Sequence, residues 1–357
     1  MSPAPLPLAA GATAPPAETY DVALLDLDGV VYVGPDAVPG VPAALASAVA
    51  AGMRLGYVTN NAARTPEQVA EHLTALGVPA GSADVITSSQ AAASVVAERF
   101  GAGAAVLPVG GPGVAAALTA AGLTVVDRAE DAPAAVVQGY GPGVGWAQLA
   151  EAVVAVRNGA RHVATNTDAT IPSPRGVLPG NGALVGVVST VTGQQPLVTG
   201  KPDPAMHAEC VRRTGARRPL VVGDRLDTDI EGARRAGADS LLVLTGVARP
   251  ADLLAAVPEH RPDLLAPDVA GVLSAHPAVT AVEGAWRCGG WQADATGEVL
   301  VLRSTGPERE DGDGLDGLRA LAVAQWARHP DGGTPPVVRA GDDRAATVLA
   351  GWDLPVG

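Results

Sequence analysis

Asp21-Val22-Ala23-Leu24-Leu25-Asp26-Leu27-Asp28-Gly29-Val30-Val31-Tyr32 is the stretch from which the rest of the chain is read. Val22 to Leu25 is an apolar run of the length of one buried strand. It runs into Asp26 and Asp28, one residue apart, and then at once into a glycine. If the strand continues through Asp28, its period of two puts both carboxylates on one side. They then stand at its carboxyl end, where open α/β sheets bind their ligands. Two acids this close repel, which calls for a cation between them or a proton on one. Gly29 lets the chain turn where a side chain would crowd the site. Alone, the step also admits a reading as a solvated strand-to-loop turn, so the flanking sequence has to decide.

Outward from this stretch, strands and helices alternate. The pattern predicts a helix over Val41 to Ala51, a strand over Arg54 to Val58 ending in Thr59-Asn60-Asn61, and a helix over Pro66 to Leu76 capped by Thr65. Such alternation points to a doubly wound, Rossmann-like parallel sheet. A second set of units begins near Asp84, with strands at Ala104–Val109, Ala134–Val137 and Arg161–Ala164. A loop dense in Pro and Gly, Ile171 to Gly182, leads to a helix around Ala183–Val191. The first style resumes at Val198: Gly200-Lys201-Pro202, a helix from Pro204 to Arg213, a strand Leu220–Val222, then Gly223-Asp224-Arg225-Leu226-Asp227-Thr228-Asp229 and a strand Ser240–Leu244. The expected organisation is a tail over 1–18, a core in two parts over 19–83 and 193–270, an inserted α/β domain over 84–192, and a small α+β domain over 276–357. In that last segment, strands are expected at Trp286–Gln292 and Val299–Arg303 and a helix at Leu315–Arg328. It holds four of the five tryptophans, enough to seed a separate core. On this reading a chain ending near residue 272 keeps its chemistry but exposes whatever apolar core surface the tail covers, at the expense of solubility, oligomeric state or regulation.

Composition narrows the function. With 357 residues the chain is long enough for two or three domains. Its formal charge of −13 argues against nucleic acid and against anionic membrane, both of which attract basic surface. An anionic substrate must therefore be met locally, by a metal, a lysine or helix N-termini. Cys210 and Cys288 lie far apart, so no disulfide framework is expected and a cytoplasmic location is the default. The first nineteen residues, rich in Pro and Ala, have no basic start and no long apolar core. They read as a disordered tail rather than a signal peptide. Nothing approaches membrane-spanning length.

Four strand ends carry polar groups: Asp26/Asp28, Thr59-Asn60-Asn61, Lys201 and Asp224…Asp229. In one parallel sheet all four converge on one edge. Carboxylates with one lysine and one threonine suit phosphoryl transfer, which needs a metal, an anionic nucleophile and donors for the phosphoryl oxygens. Ligands that are all oxygen select a hard ion such as Mg²⁺. His207-x-x-Cys210 is too little for zinc. Lys201 alone would read as a solvated surface lysine; between Gly200 and Pro202, with the other motifs in place, it reads as part of the site. Asp227 and Asp229 both have a tempting spacing from Asp224, and helical geometry does not separate them. Arg64 divides evenly between substrate contact and helix-start surface. Gly111-Pro112-Gly113-Val114-Ala115-Ala116 fits a dinucleotide-binding fingerprint, but its turn proline and its place inside the insertion favour a plain strand–turn–helix.

Asp26-Leu27-Asp28-Gly29-Val30-Val31, Thr59-Asn60-Asn61, Gly200-Lys201-Pro202 and Gly223-Asp224…Asp229 resemble the four ordered motifs of the haloacid dehalogenase superfamily. The first and last, read in full, resemble its branch of 4-nitrophenyl phosphate, phosphoglycolate, pyridoxal phosphate and nucleotide monophosphate phosphatases. That branch carries a large α/β cap between the second and third motifs, where the insertion lies. The resemblance spans about residues 18–270. It implies Asp26 as nucleophile forming an aspartyl phosphate, and Asp28 as general acid/base with a raised pKa. It further implies Mg²⁺ held by Asp26, the Asp28 carbonyl and Asp224, with Asp229 orienting a metal-bound water. Thr59, Asn60 and Asn61 would donate to the phosphoryl oxygens, and Lys201 would neutralise both phosphate and nucleophile. The capped core followed by a Trp-bearing tail is most similar to actinobacterial glycerol 3-phosphate phosphatases, whose tail resembles an acetyltransferase fold. Here the tail shows no clear acetyl-coenzyme A loop. The expectation is a cytoplasmic Mg²⁺-dependent phosphatase of a small phosphorylated metabolite, with a homo-oligomer left open. Two rivals are a phosphoaspartate signalling domain and an oxidoreductase built on Gly111. The first is disfavoured because Asp28 would hydrolyse the message.

Overall fold

The computed structural model describes residues 6–171, 175–296, 299–333 and 335–354. They form two compact units, Met1–Leu55 with Arg217–Gly357, and Gly56–Ala216.

In the first unit, Val22–Leu25 is a strand with every residue buried. It pairs in parallel with Pro219–Gly223, which pairs with Asp239–Val243, which pairs with Leu264–Ala266. These are nearly continuous aliphatic runs, as expected of parallel strands covered on both faces. Register sets where the acids emerge: Leu25 lies opposite Val222, and the Asp26 N–H donates to Val222 O at 2.9 Å. Asp26 and Asp224 therefore leave adjacent strands at the same end. On the other side of Val22–Leu25 the next strand starts, with the Arg54 N–H donating to Asp21 O at 3.1 Å.

The N-terminal segment, expected to be disordered, is ordered from residue 6 onward; residues 1–5 lie outside the described residues. Leu8 is buried, and Ala12 and His276 exchange two backbone hydrogen bonds of 2.8 Å. A short helix comes next, at Pro16–Thr19. Composition misled here because one buried leucine and a backbone pair anchor the segment without any apolar run.

The C-terminal part is a five-stranded sheet in the order Thr280–Val282, Ala285–Cys288, Trp291–Thr296, Val299–Ser304, Val337–Ala340. The expected strand Trp286–Gln292 is in fact a hairpin. Cys288 pairs with Trp291 across Gly289-Gly290, with Gly289 at φ +51°. Gly289 supplies the positive φ that such a turn requires, and a Cβ at Gly290 would stand 2.2 Å from Pro307 O. The helix Asp316–Arg328 packs on the Ala285–Cys288 and Trp291–Thr296 strands. The tryptophans do not seed a core of their own. Trp291 and Trp326 share one apolar cluster with Ile230, Leu242, Leu253, Leu254 and Leu265, all from the first sheet and its connections.

In the second unit, Tyr57–Thr59 pairs in parallel with Val85–Thr87. The helix Pro66–Ala75 starts from a capping box: the Gln68 N–H donates to Thr65 Oγ1, and the Thr65 N–H to Gln68 Oε1. A five-stranded parallel sheet runs Leu197–Val198, Arg161–Ala164, Ala135–Gln138, Ala105–Val109, Thr124–Val125. Leu197–Val198 thus extends this sheet: Val198 lies opposite Ala164, and the Thr199 N–H donates to Ala164 O at 3.1 Å. The expected return to the first sheet at Val198 does not occur there. The stretch before Lys201 is too short to form a central strand and takes the edge offered by Arg161–Ala164. Of the Pro- and Gly-rich loop, residues 172–174 lie outside the described residues.

Candidate active site

Asp26, Asp224 and Asp229 form one cluster, each offering a carboxylate oxygen within 4.8 Å of the others. At that separation two charges repel by about 3 kcal/mol at an effective dielectric of about 20. The chain holds them together with backbone donors and bare glycines. The Val247 N–H donates to Asp224 Oδ2 at 2.7 Å, and the Arg225 N–H to Asp229 Oδ2 at 3.1 Å. A Cβ at Gly246 would stand 1.9 Å from Asp224 Oδ2, and one at Gly29 2.5 Å from it. A Cβ at Gly223 would stand 2.2 Å from the Asp229 Cβ. Each glycine is the space in which a carboxylate sits. Gly29 also turns the chain at φ +87°, and the Val31 N–H donates to Leu27 O at 2.9 Å within that turn. The Thr245 hydroxyl donates to Gly29 O at 2.5 Å and fixes the loop from outside. Asp28, two residues after Asp26, is exposed.

The structure separates the two candidates that spacing left open. Leu226–Ile230 is a single π-helical turn. Asp229 is 1% exposed and belongs to the cluster, whereas Asp227 accepts two hydrogen bonds from Arg225, at 3.1 and 2.9 Å, on the surface. An all-carboxylate donor set, wrapped in backbone N–H groups, fits a hard divalent cation such as Mg²⁺.

Thr59, Asn60, Asn61 and Lys201 belong to the second unit. The Asn61 N–H donates to Thr59 Oγ1 at 3.0 Å, which leaves the Thr59 hydroxyl hydrogen as a donor. The Asn61 side chain accepts from the Ala63 N–H at 2.9 Å. Asn60 holds Lys201 from both sides. Its Oδ1 accepts the Lys201 N–H at 2.9 Å, and its Nδ2 donates to Lys201 O at 3.2 Å. The Lys201 ammonium donates to Val58 O at 3.4 Å. A Cβ at Gly200 would stand 2.2 Å from Thr165 O and 2.6 Å from Asn60 Oδ1, so this approach requires glycine. The Asn60 side chain is thus engaged with the backbone of Lys201.

Sequence reading passed over several residues. The Thr245–Ala248 loop carries no polar motif, and its work is done by backbone. Asn166 and Asp168 did leave a signal, since they come directly after the strand Arg161–Ala164. Asn166 Nδ2 donates to Asn60 O at 2.7 Å, and Asn60 Nδ2 reaches Asp168 Oδ2 at 3.5 Å. Arg64 is exposed. The Gly111 fingerprint has a structural explanation. A Cβ at Gly113 would meet Arg64 O at 2.4 Å and Ala62 O at 2.5 Å, and one at Gly111 would meet the Ala63 Cα at 2.7 Å. The two glycines receive the Ala62–Arg64 loop, leaving no room for a pyrophosphate. Burial pushes the Cys210 thiol up to about 12 and holds the His207 imidazole below its ordinary range, consistent with a packed helix face rather than a zinc pair.

Comparison with known proteins agrees with this geometry. Residues 23–124 match the family model of haloacid dehalogenase-like hydrolases, and residues 198–272 a second HAD-hydrolase-like model. Residues 288–354 match a GCN5-related N-acetyltransferase like domain. The chain is 43% identical over 344 residues to the D-glycerol 3-phosphate phosphatase of Mycobacterium tuberculosis, covering 95% of each chain. It is 40% identical over 231 residues to an acid sugar phosphatase of Staphylococcus aureus, covering 64% of this chain and 88% of that one. The crystal structure of the M. tuberculosis glycerol phosphate phosphatase in complex with magnesium superposes with a TM-score of 0.84 at 42% identity, covering 96% of this chain and 99% of that one.

Proposed function

This chain belongs to the haloacid dehalogenase-like hydrolases and is a phosphatase, and from that premise we propose that it hydrolyses glycerol 3-phosphate with Mg²⁺ at the Asp26, Asp224 and Asp229 cluster. The observation that carries this reading is the cluster itself: three carboxylates held within 4.8 Å by glycine-lined loops, in a chain alike over nearly its whole length to a phosphatase of that ester.

Asp26, the Asp28 carbonyl and Asp224 are assigned to the cation, with Asp229 orienting its water. Bound there, Mg²⁺ supplies positive charge for the phosphoryl oxygens and for the acids that surround them. Asp26 is the nucleophile; a carboxylate is already anionic and needs no base to attack phosphorus, which gives an aspartyl phosphate. Asp28 protonates the departing alkoxide and then takes a proton from the water that cleaves the acyl phosphate. Its exposure lets it exchange protons with solvent between the steps. The Thr59 hydroxyl and Lys201 are assigned to the phosphoryl oxygens, Lys201 in the pose fixed by Asn60. Asn61 contributes by shaping the turn after Thr59.

We assign residues 84–192 to the cap that chooses the alcohol and 276–357 to an accessory domain. The acid sugar phosphatase relative makes a phosphorylated sugar acid the alternative substrate. Phosphoglycolate, pyridoxal phosphate and nucleotide monophosphates remain in the panel as members of the wider branch. We assign a cytoplasmic setting, supported by two buried cysteines that are free thiols. The test is kcat/KM across these esters with Mg²⁺. Preference for glycerol 3-phosphate by about tenfold or more supports the assignment, and preference for another ester replaces it.

A further inference from the structure

The segment Gly246 to Ala256 touches the acidic cluster at one end and the C-terminal domain at the other. At the first end, the Val247 N–H donates to Asp224 Oδ2 at 2.7 Å and the Ala248 N–H to Asp224 O at 2.9 Å. Gly246 lies so close that no larger residue fits against that carboxylate. At the far end three carbonyls are held. Leu253 O accepts from Trp326 Nε1–H at 3.1 Å, Ala255 O from the Gly333 N–H at 2.9 Å, and Ala256 O from Arg261 Nε–H at 3.1 Å. Arg261 also reaches His329 O at 2.9 Å, and its guanidinium lies 5.4 Å from the centre of the Trp326 ring. Gly332, at φ +70°, completes the contact; a Cβ there would stand 2.5 Å from Ala256 O.

Between the ends runs the short helix Pro250–Leu254, packed on the helix Asp316–Arg328. Ala248, Leu253, Leu254 and Ala256 are buried in the apolar cluster that contains Trp326. The segment is thus a strut. It is held at Asp224 by Val247 and Ala248 and near Ala256 by Trp326, Gly333 and Arg261.

We propose that the C-terminal domain braces the cation site: Trp326 and Gly332 are positioning residues that, through the Gly246–Ala256 strut, keep the Val247 N–H on Asp224 and so set the affinity for Mg²⁺. The inference rests on reading the acidic cluster as the Mg²⁺ site. A carboxylate whose second oxygen is fixed presents its first oxygen to a cation already oriented; one whose donor drifts must be ordered by the cation at a cost in affinity. The domain therefore contributes to the hydrolase without supplying an atom to the reacting centre.

The experiment uses the full chain and measures Mg²⁺ binding directly, by calorimetry without substrate. W326F replaces the indole by a smaller aromatic ring and removes the Nε1–H, while Leu253 O keeps the Ala256 N–H at 3.2 Å, so that carbonyl is not left without a donor. G332A pushes the tail loop off Ala256. L349A, on the helix Asp343–Gly351 that packs on the Val299–Ser304 and Val337–Ala340 strands, removes a side chain from the same apolar cluster but none of the hydrogen bonds that hold the strut. Expected are about threefold to tenfold weaker Mg²⁺ binding in W326F and G332A, turnover that recovers as Mg²⁺ is raised, and wild-type Mg²⁺ affinity in L349A despite its lower Tm. Unchanged affinity in W326F and G332A overturns the brace while leaving the phosphatase reading intact. An equal loss of affinity in L349A also overturns it, because the effect then tracks general loosening. If the wild-type protein binds no Mg²⁺ in the calorimeter, the metal-site reading falls and the brace with it.

Discussion

Asp229 is buried beside Asp26 and Asp224, while Asp227, two residues earlier on the same turn, lies on the surface paired with Arg225. Residues two apart on a helical turn face nearly opposite sides, and here the turn Leu226–Ile230 has Asp229 on the side of the cluster. Asp229→Asn is expected to weaken Mg²⁺ binding by about ten- to hundredfold. Asp227→Asn should change it by less than about twofold, since a surface ion pair carries little energy. The reverse order in a titration calorimeter would place the cation on the exposed side of the turn.

Removing one of three crowded charges also has a stability signature. In chelator, Asp26→Asn should raise Tm by about 2 °C or more, because repulsion of kcal size is relieved. In saturating Mg²⁺ the order should invert, since the wild type gains more from the cation. Turnover by Asp26→Asn should fall by about 10³-fold or more; retention of even about a tenth would exclude the acyl phosphate route. A melting temperature in chelator below that of the wild type would mean that the cluster is not under electrostatic load.

Gly113→Ala gives a test of the rival fingerprint. In an ordinary helix the change would stabilise. Here the new Cβ lands 2.4 Å from Arg64 O and 2.5 Å from Ala62 O, so a loss of about 1–3 kcal/mol is expected. Binding of NAD to the wild type, seen by fluorescence, would restore the oxidoreductase reading.

His162 gives the fold around it a pH dependence. It is 1% exposed, Nε2 lies 3.0 Å from Gln138 Oε1, and burial lowers its pKa from 6.5 to about 4. Between those values the unfolded chain binds a proton that the native fold refuses. Stability should therefore fall as pH drops from about 6.5 to about 4, by on the order of 3 kcal/mol. His162→Phe cannot titrate and should remove that part of the slope. Parallel slopes for the two proteins in urea melts would contradict the assignment.

The shared core bears on the expectation that a chain ending near residue 272 keeps its chemistry. A chain ending near residue 272 would expose Leu253, Leu254 and Leu265, which now pack in one cluster with Trp326 and Leu321. Losing that many buried side chains exceeds the net stability of an ordinary domain. The truncated chain should be insoluble or lack a cooperative melt. A soluble fragment with a sharp transition would show that the first sheet closes its own core.

Much of this was legible because strand period and strand ends are local properties. Val22–Leu25 announces a buried strand, and the acids just beyond it, like those after Pro219–Gly223, mark its functional end. Thr65 with Gln68 announces a helix start in the same local way. The features that stayed hidden depend on partners distant in sequence. Nothing in Gly246-Val247 says that its amide will meet Asp224, and nothing in Leu197–Val198 says which sheet it joins. The Gly289-Gly290 hairpin was legible in principle, since paired glycines between strands are a turn signal. The shared core was not, because tryptophans state how much surface must be covered, never by what.

The two-sided hold of Asn60 on Lys201 joins positions 141 residues apart in sequence. The chain between them is no free loop: Val85–Thr87 pairs with Tyr57–Thr59, and Asn166 Nδ2 donates to Asn60 O at 2.7 Å. The clasp on the lysine is thus itself clasped from within residues 84–192. A foreign recognition module exchanged for that stretch would have to bring its own donor for Asn60 O, or the lysine would lose the support of its backbone pose.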